Sequence, residues 1–232
     1  MTTNAPFCFD DHQAHVARYL EGPPIFMPGY HASHDIAAAV LQQRLGPQPH
    51  LLVVGAGGGV ELGRFALHLP DSRYTAIDPS AAMIELGRVV TQDVAPPDRI
   101  IWNQCDAIAA PPGPFDAATA FLCLVFVPDD GGRLEQLRAI RARLKPGAPF
   151  LMMHAASEAA AYERNIERFA RHAAIRGADR ASIEQVVEMN RNQIFVLSDT
   201  RERELLTEAG FRVDGLFFKG LWIHGWEATA CA

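Results

Sequence analysis

Residues 51–66, LLVVGAGGGVELGRFA, constrain this chain more than any other stretch. A continuous apolar run from Leu51 to Val54 gives way to Gly55-Ala56-Gly57-Gly58-Gly59. Val60, Leu62, Phe65, Ala66 and Leu69 then follow in a helical pattern. That order reads as a buried strand, a tight glycine turn and a helix. Glycine takes positive φ at little cost and lets a ligand approach where a Cβ would block it. The helix N-terminus beyond the turn offers unpaired N–H groups. The dinucleotide pattern G-x-G-x-x-G fails, because Val60 stands where its last glycine belongs. Gly55, Gly57 and Gly59 fit G-x-G-x-G instead.

Strand and helix alternate beyond the loop in the βαβ manner. Strands are expected at 51–54, 74–77, 100–103, 115–121 and 150–154, and helices at 59–69, 79–92 and 131–144. Ligands of open α/β sheets sit beyond the carboxyl ends of the strands. Gly55, Asp78, Asp106, Phe121 and His154 all fall at such ends. Asp78 stands about 20 residues past the loop, where an acid holds a ribose diol. Its bland reading is a helix N-cap, since Asp78-Pro79-Ser80 opens a helix.

The flanks carry more helix. Residues 1–9 read as a loose arm, and 10–20 as a short helix capped by Asp10 or Asp11 and broken by Gly22-Pro23-Pro24. Ser33 is expected to cap a helix running to Leu45, so that residues 1–46 form an N-terminal helical cap. Tyr30 either lines a pocket or staples these helices, and pattern alone favours packing. Residues 155–192 read as two helices inserted between the fifth and sixth strands, with Gly177 between them. They suit a lid, a dimer contact or a plain surface hairpin. Ser198 or Asp199 caps a further helix to Ala209, and a final strand pair follows at 211–218 and 221–229, with Gly220 breaking the run between them.

Length and composition bound the rest. A chain of 232 residues, about half of them hydrophobic, suits one α/β domain over 1–232. A net charge of −6 argues against a broad nucleic-acid-binding face. Cys8, Cys105, Cys123 and Cys231 form no C-x-x-C pair and read as reduced thiols of a cytoplasmic protein. Of the nine histidines only His31 and His34 are suggestively spaced, and no metal site is expected. The polar N-terminus does not read as a signal peptide, and no membrane span is expected, since no stretch approaches ~18 apolar residues.

The ordered set of glycine loop, Asp78 after the second strand, Cys105-Asp106 after the third, Phe115–Phe121 as the fourth, and Leu144-Lys145-Pro146-Gly147 before the fifth resembles the class I S-adenosylmethionine (SAM)-dependent methyltransferases. The resemblance covers about two thirds of the chain. It implies a Rossmann-like α/β fold: a seven-stranded, mostly parallel sheet with an antiparallel last strand and the helical insertion between strands five and six. Three further segments resemble the carboxy-S-adenosylmethionine synthase family, which serves tRNA wobble-uridine modification. They are Met27-Pro28-Gly29-Tyr30, Ile77-Asp78-Pro79-Ser80-Ala81-Ala82-Met83-Ile84, and Leu197-Ser198-Asp199-Thr200 with Ala209-Gly210-Phe211. By that likeness Tyr30, Gly55, Asp78 and Asp106 are cofactor contacts. Ala56, Gly57, Pro79 and Ala107 beside them, and Phe121, complete the expected set. The resemblance also implies a homodimer through the inserted helices.

Three departures qualify the likeness. Met189 stands where that family has a carboxylate-binding Arg, and a thioether cannot replace a guanidinium fork; Arg191 lies two positions on. Phe121 replaces an Asn. Val53 stands where an acid two residues before the first loop glycine helps hold the methionine amine. Ordinary SAM is therefore the expected cofactor, leaving S-adenosylhomocysteine, with a small-molecule metabolite accepting the methyl group on O, N or S. The alternatives are a carboxy-SAM synthase or carboxymethyl-transfer enzyme, a non-catalytic SAM-binding protein and, more weakly, an NAD-dependent oxidoreductase, which would lack its third glycine and any Tyr-x-x-x-Lys. Methyl transfer from a sulfonium needs alignment and desolvation more than a base. His154 is the leading candidate for a general base, or else a structural histidine, with His31 and His34 weaker. Phe121, Trp222 and Tyr162 could build an aromatic acceptor pocket or belong to the core. Arg164, Arg168 and Arg191 could meet an acidic substrate or line a solvated face.

Overall fold

A computed structural model describes residues 9–11, 16 and 18–232. Seven strands form one sheet in the order β3-β2-β1-β4-β5-β7-β6. They are β1 (His50–Val54), β2 (Arg73–Asp78), β3 (Ile100–Gln104), β4 (Ala117–Phe121), β5 (Pro149–Ala155), β6 (Phe211–Gly220) and β7 (Ile223–Ala230). All neighbours are parallel except β7, which runs antiparallel to both β5 and β6. Leu51 to Val54 are buried because β1 is central, with β2 and β4 on its sides and helices over both faces. After the buried Phe211, β6 alternates exposed and partly buried residues and carries register shifts, as an edge strand does.

The helices are α1 (Gly22–Phe26), α2 (Tyr30–Arg44), α3 (Val60–His68), α4 (Ala81–Thr91), α5 (Gly132–Ala142), α6 (Tyr162–Ile175), α7 (Arg180–Asn192) and α8 (Asp199–Glu208). The two inserted helices, α6 and α7, lie between β5 and β6. Asp179 caps the second by accepting the Ser182 N–H. Phe26, Ile166, Phe169 and Trp222 pack into the core on the α2–α3 side of the sheet, together with Tyr30, Val53 and Phe121. The other side holds Leu137, Phe150, Met152, Leu205 and Trp226.

Several boundaries differ from the sequence expectation. Residues 12–15 and 17 of the expected helix at 10–20, and residues 1–8 of the arm at 1–9, lie outside the described residues. Asp10 does cap a helix, but it is α4: its carboxylate accepts from the Ser80 hydroxyl and from the Ala81 and Ala82 N–H groups. Helix α2 begins at Tyr30, four residues early, because Gly29 rather than Ser33 supplies the N-cap, left-handed at φ 71°. Ser33 is therefore inside the helix, its hydroxyl donating to the Tyr30 carbonyl at 2.7 Å. Phe115 makes only an isolated bridge to Leu144, so β4 starts at Ala117. The final hairpin turns at Leu221-Trp222, with Leu221 at φ 54°, while Gly220 stays in β6.

Candidate functional site

Register brings the chemistry to one edge. Val54 pairs with Ile77 on one side and Ala120 on the other, so Gly55, Asp78 and Phe121 leave the sheet side by side. Chain connections diverge here, since β1 leads to β2 while β4 lies on its other flank. This is the switch point at which open α/β sheets bind ligands.

The glycine loop is held by its own amides. Ala56 N–H donates to the Ile77 carbonyl, Gly58 N–H to Met83 and Gly59 N–H to Ala56, at 3.0–3.1 Å. Gly57 N–H donates to Asp78 Oδ2 at 2.9 Å. Four successive amides are thus spent inside the protein, and a diphosphate would have to displace those bonds to be cradled as in a dinucleotide site. A Cβ on Gly57 would lie 2.5 Å from Asp78 Oδ2 and 2.6 Å from Met83 Cβ, which is why this position tolerates no side chain.

Asp78 is buried, and its second oxygen accepts the Ser80 N–H at 2.8 Å. The N-cap of α4 is Ser80, whose Oγ accepts from Met83 N–H. Asp78 therefore ties the loop to β2 rather than capping the helix. Burial pushes its carboxyl up to about 6, against the lowering effect of the two backbone N–H bonds. Each oxygen keeps further acceptor capacity for a ligand hydroxyl.

Asp106 and Ala107 follow β3. Asp106 is exposed, with Oδ1 accepting from Ala109 N–H and Oδ2 from Gln136 Nε2. Gln136 Oε1 in turn accepts the Ala107 N–H at 3.0 Å. Pro79 is exposed beside them, its carbonyl taking a bond from Gln104. Tyr30 and Phe121 are buried; Phe121 stacks near Phe217 and lies edge-on to His34 and Phe65.

A cavity of about 10 Å³ lies between these groups, lined by Tyr19, Tyr30, His34, Gly55, Gly57, Val60, Glu61, Phe121 and Leu122. That is room for about one water. Tyr19 narrows it, since its ring lies against Gly58. Phe9 meets Tyr19 edge-on at 5.8 Å and Phe126 at 6.2 Å, so these rings lie beside the loop. A larger cavity of about 260 Å³ lies at the opposite end of β2, near Ser72, Tyr74 and Arg99. It is remote from the glycine loop and the carboxyl ends, so the site is assigned to the smaller one.

Glu61, which sequence reading passed over, is the unforeseen member. It lies in the first turn of α3 and is 6% exposed, with Oε1 accepting the Thr119 hydroxyl at 2.6 Å. Burial raises its carboxyl to about 8, Thr119 pulling weakly the other way. An acid at the second helical position after a glycine loop was the available signal, but the pattern treats it as helix surface. His34 is held neutral: burial takes its imidazole down to about 4 while Nδ1–H donates to the Tyr30 carbonyl.

His154 is not at the site. Strand alternation puts it with Phe150 and Met152 on the opposite face from Tyr30 and Phe121. It is fully buried, with Nε2 bonded to Glu202 at 2.9 Å and its ring near Trp226. Arg133 completes the group by donating to Glu202. A sealed imidazole on the far face, held by Glu202, fits the alternative reading of His154 as a structural histidine. Trp222 packs between Tyr162 and Phe169, and neither Trp222 nor Tyr162 is in the cavity lining. Arg191 is paired with Glu163, and Arg164 and Arg168 are exposed on α6. Among the described residues, no three His, Cys, Asp or Glu side chains gather as metal ligands, and no helix is long and apolar enough to cross a membrane.

Comparisons with known proteins address the same region. Residues 52–150 match a family model described as a methyltransferase domain. No curated protein matches the chain. Among solved structures, a chain of the complex between the Haloferax volcanii Trm112 methyltransferase activator and its methyltransferase partner is similar, with TM-score 0.67 at 14% identity, covering 96% of this chain and 99% of that one. Human N-acetylserotonin methyltransferase, in complex with SAM, gives TM-score 0.64 at 16% identity over 97% of this chain; the chain spans 58% of that enzyme's length. A Bordetella parapertussis protein described as a candidate exported protein gives 0.65 at 18%, with coverages of 89% and 70%. Residues 52–150 are thus similar to a methyltransferase domain, and the sheet has the fold of the class I methyltransferases.

Proposed function

We propose that the protein is a SAM-dependent methyltransferase acting on a small-molecule acceptor. The observation that carries this reading is the Asp78 carboxylate beneath the glycine loop, bonded to Gly57 N–H at the switch point of the sheet. The residues present suit SAM. Asp78 offers oxygens to a ribose diol. Asp106 and Ala107 offer an acceptor and a donor to an adenine edge, the same pair that the Gln136 amide now satisfies. The four loop amides are already bonded, which favours a nucleoside without phosphates over a dinucleotide. Gly55, Ala56 and Gly57 form the floor, with Pro79 at one rim and Tyr30 and Phe121 behind it.

Bound SAM supplies a methyl group already activated on sulfur. The chain's task is then to align the partners and exclude water. Tyr19, Tyr30, Phe121 and Leu122 supply the apolar wall for that, and entry of a nucleoside requires Tyr19 and Gln136 to yield. With His154 on the far face and the His34 imidazole held neutral, an acceptor that ionises on its own, or attacks through a neutral lone pair, suits the site.

A small acceptor fits the charge distribution. The net charge is −6, and Arg171, Arg180, Arg191, Arg201 and Arg203 are each paired with an acid, which disfavours a broad nucleic-acid-binding face. The free thiols Cys105, Cys123 and Cys231 suit a reducing cytoplasm. The hairpin of α6 and α7 is the proposed dimer contact, and the chain a single SAM-binding domain.

The test is calorimetric titration with SAM, alongside mass spectrometry of any ligand that the purified protein retains. Wild type is expected to bind SAM, and Asp78→Ala to weaken binding by about a hundredfold, through the lost ribose and loop bonds. Absence of SAM binding at millimolar concentration overturns the proposal.

A further inference from the structure

We propose that Glu61 is the group that meets the positive charge of the cofactor, its carboxylate serving from helix α3 where β1 has Val53 in place of an acid. This rests on the SAM reading and names a residue for it. The geometry begins with Thr119, whose hydroxyl Glu61 accepts. In the parallel register of β1 and β4, Thr119 is the partner of Val53. The Glu61 side chain therefore crosses from the helix behind the loop to the strand pair in front of it. It reaches the neighbourhood that an acid at position 53 would occupy, and it lines the same cavity as Gly55 and Gly57.

The charge around it supports a cationic ligand. A buried acid is normally compensated, as Glu202 is by Arg133 and His154. Glu61 has no such partner among the described residues. From α2 it faces Tyr30 and a His34 held neutral; beyond the loop, Tyr19, Cys123 and Asp78 add only neutral or acidic groups. Arg64, on the same helix, is turned to Asp35. Among the described residues, no Lys or Arg lines the cavity. Burial keeps the carboxyl protonated up to about pH 8. A cation arriving at pH 7 would favour the carboxylate and expel its proton.

The experiment is titration calorimetry at pH 7 in two buffers of different ionisation enthalpy, with SAM, S-adenosylhomocysteine and adenosine as probes. Wild type is expected to release close to one proton on binding SAM and none on binding adenosine. Glu61→Gln keeps an acceptor for Thr119 but carries no charge. It is expected to bind adenosine within about twofold of wild type, to lose about tenfold or more in SAM affinity, and to release no proton. If S-adenosylhomocysteine weakens equally, Glu61 meets the α-ammonium; if only SAM weakens, it meets the sulfonium. Unchanged SAM affinity in Glu61→Gln, an equal loss for adenosine, or no proton release in wild type overturns the assignment. A wild type that binds adenosine and S-adenosylhomocysteine but not SAM also overturns it, and one that binds none of the three overturns the cofactor reading beneath it.

Discussion

Glu61 sets one component of the protein's response to pH. Its folded carboxyl lies at about 8, above the 4.5 of an unperturbed one. Between those values the folded chain holds a proton that the unfolded chain releases. The associated stability is complete below about pH 4.5 and is lost as pH rises towards 8, by up to about 1.4 kcal/mol per pH unit. Asp78, raised to about 6, adds the same sign over a narrower window. The expected outcome is that chemical denaturation, followed from pH 5 to pH 8, declines less steeply in Glu61→Gln than in wild type. Equal slopes would mean that Glu61 ionises in the folded protein as freely as in the unfolded one. Sequence marked Asp78 because an acid at a strand end has a recognised spacing. It could not mark Glu61, since only the fold reveals that this helical position faces Thr119.

At the scale of the element, the glycine loop is shaped by close packing as much as by positive φ. Gly57→Ala forces a methyl group against Asp78 Oδ2 and Met83 Cβ, so either the carboxylate or helix α4 must move. A loss of about 1–3 kcal/mol in denaturant unfolding is expected, together with loss of SAM binding. Gly63, in the same loop–helix unit, is the contrasting case. It lies inside α3, and a Cβ there meets only Val94 at an ordinary 3.8 Å. Gly63→Ala is expected to stabilise the protein by up to about 1 kcal/mol, from helix propensity alone. If both substitutions destabilise alike, the distinction between packed and free glycine fails. The strand–turn–helix order was legible in the sequence; which glycine is spatially obligatory was not, because Asp78 and Met83 come from the next βα unit.

Across the whole molecule, Arg133, Glu202 and His154 join α5, α8 and β5 on the face away from the loop. Arg133 also donates to the Val127 and Phe195 carbonyls. Burial alone would raise the Glu202 carboxyl, but His154 and Arg133 outweigh it and hold it below the ordinary range. Removing one partner leaves a buried charge uncompensated. Arg133→Met is expected to cost about 3–5 kcal/mol in denaturant unfolding, while the folded fraction keeps SAM affinity within about twofold. A large change in SAM affinity at full folding would place this group in the working site after all.

By itself the sequence determined the sheet, the loop, the inserted helices and the acids at the strand ends. Each of these follows from local patterns: an apolar run, a glycine cluster, a period of 3.6, an acid after a strand. Only the tertiary structure decided what those residues face. His154 and Phe121 both end strands and look equivalent in one dimension, yet alternation along the strands sends them to opposite faces. Asp10 caps a helix 70 residues away, Gln136 clasps Asp106 and Ala107, and Glu61 reaches the strand pair of Val53 and Thr119. Such pairings depend on register and on which face each helix covers, which are properties of the packed chain and not of any local stretch of it.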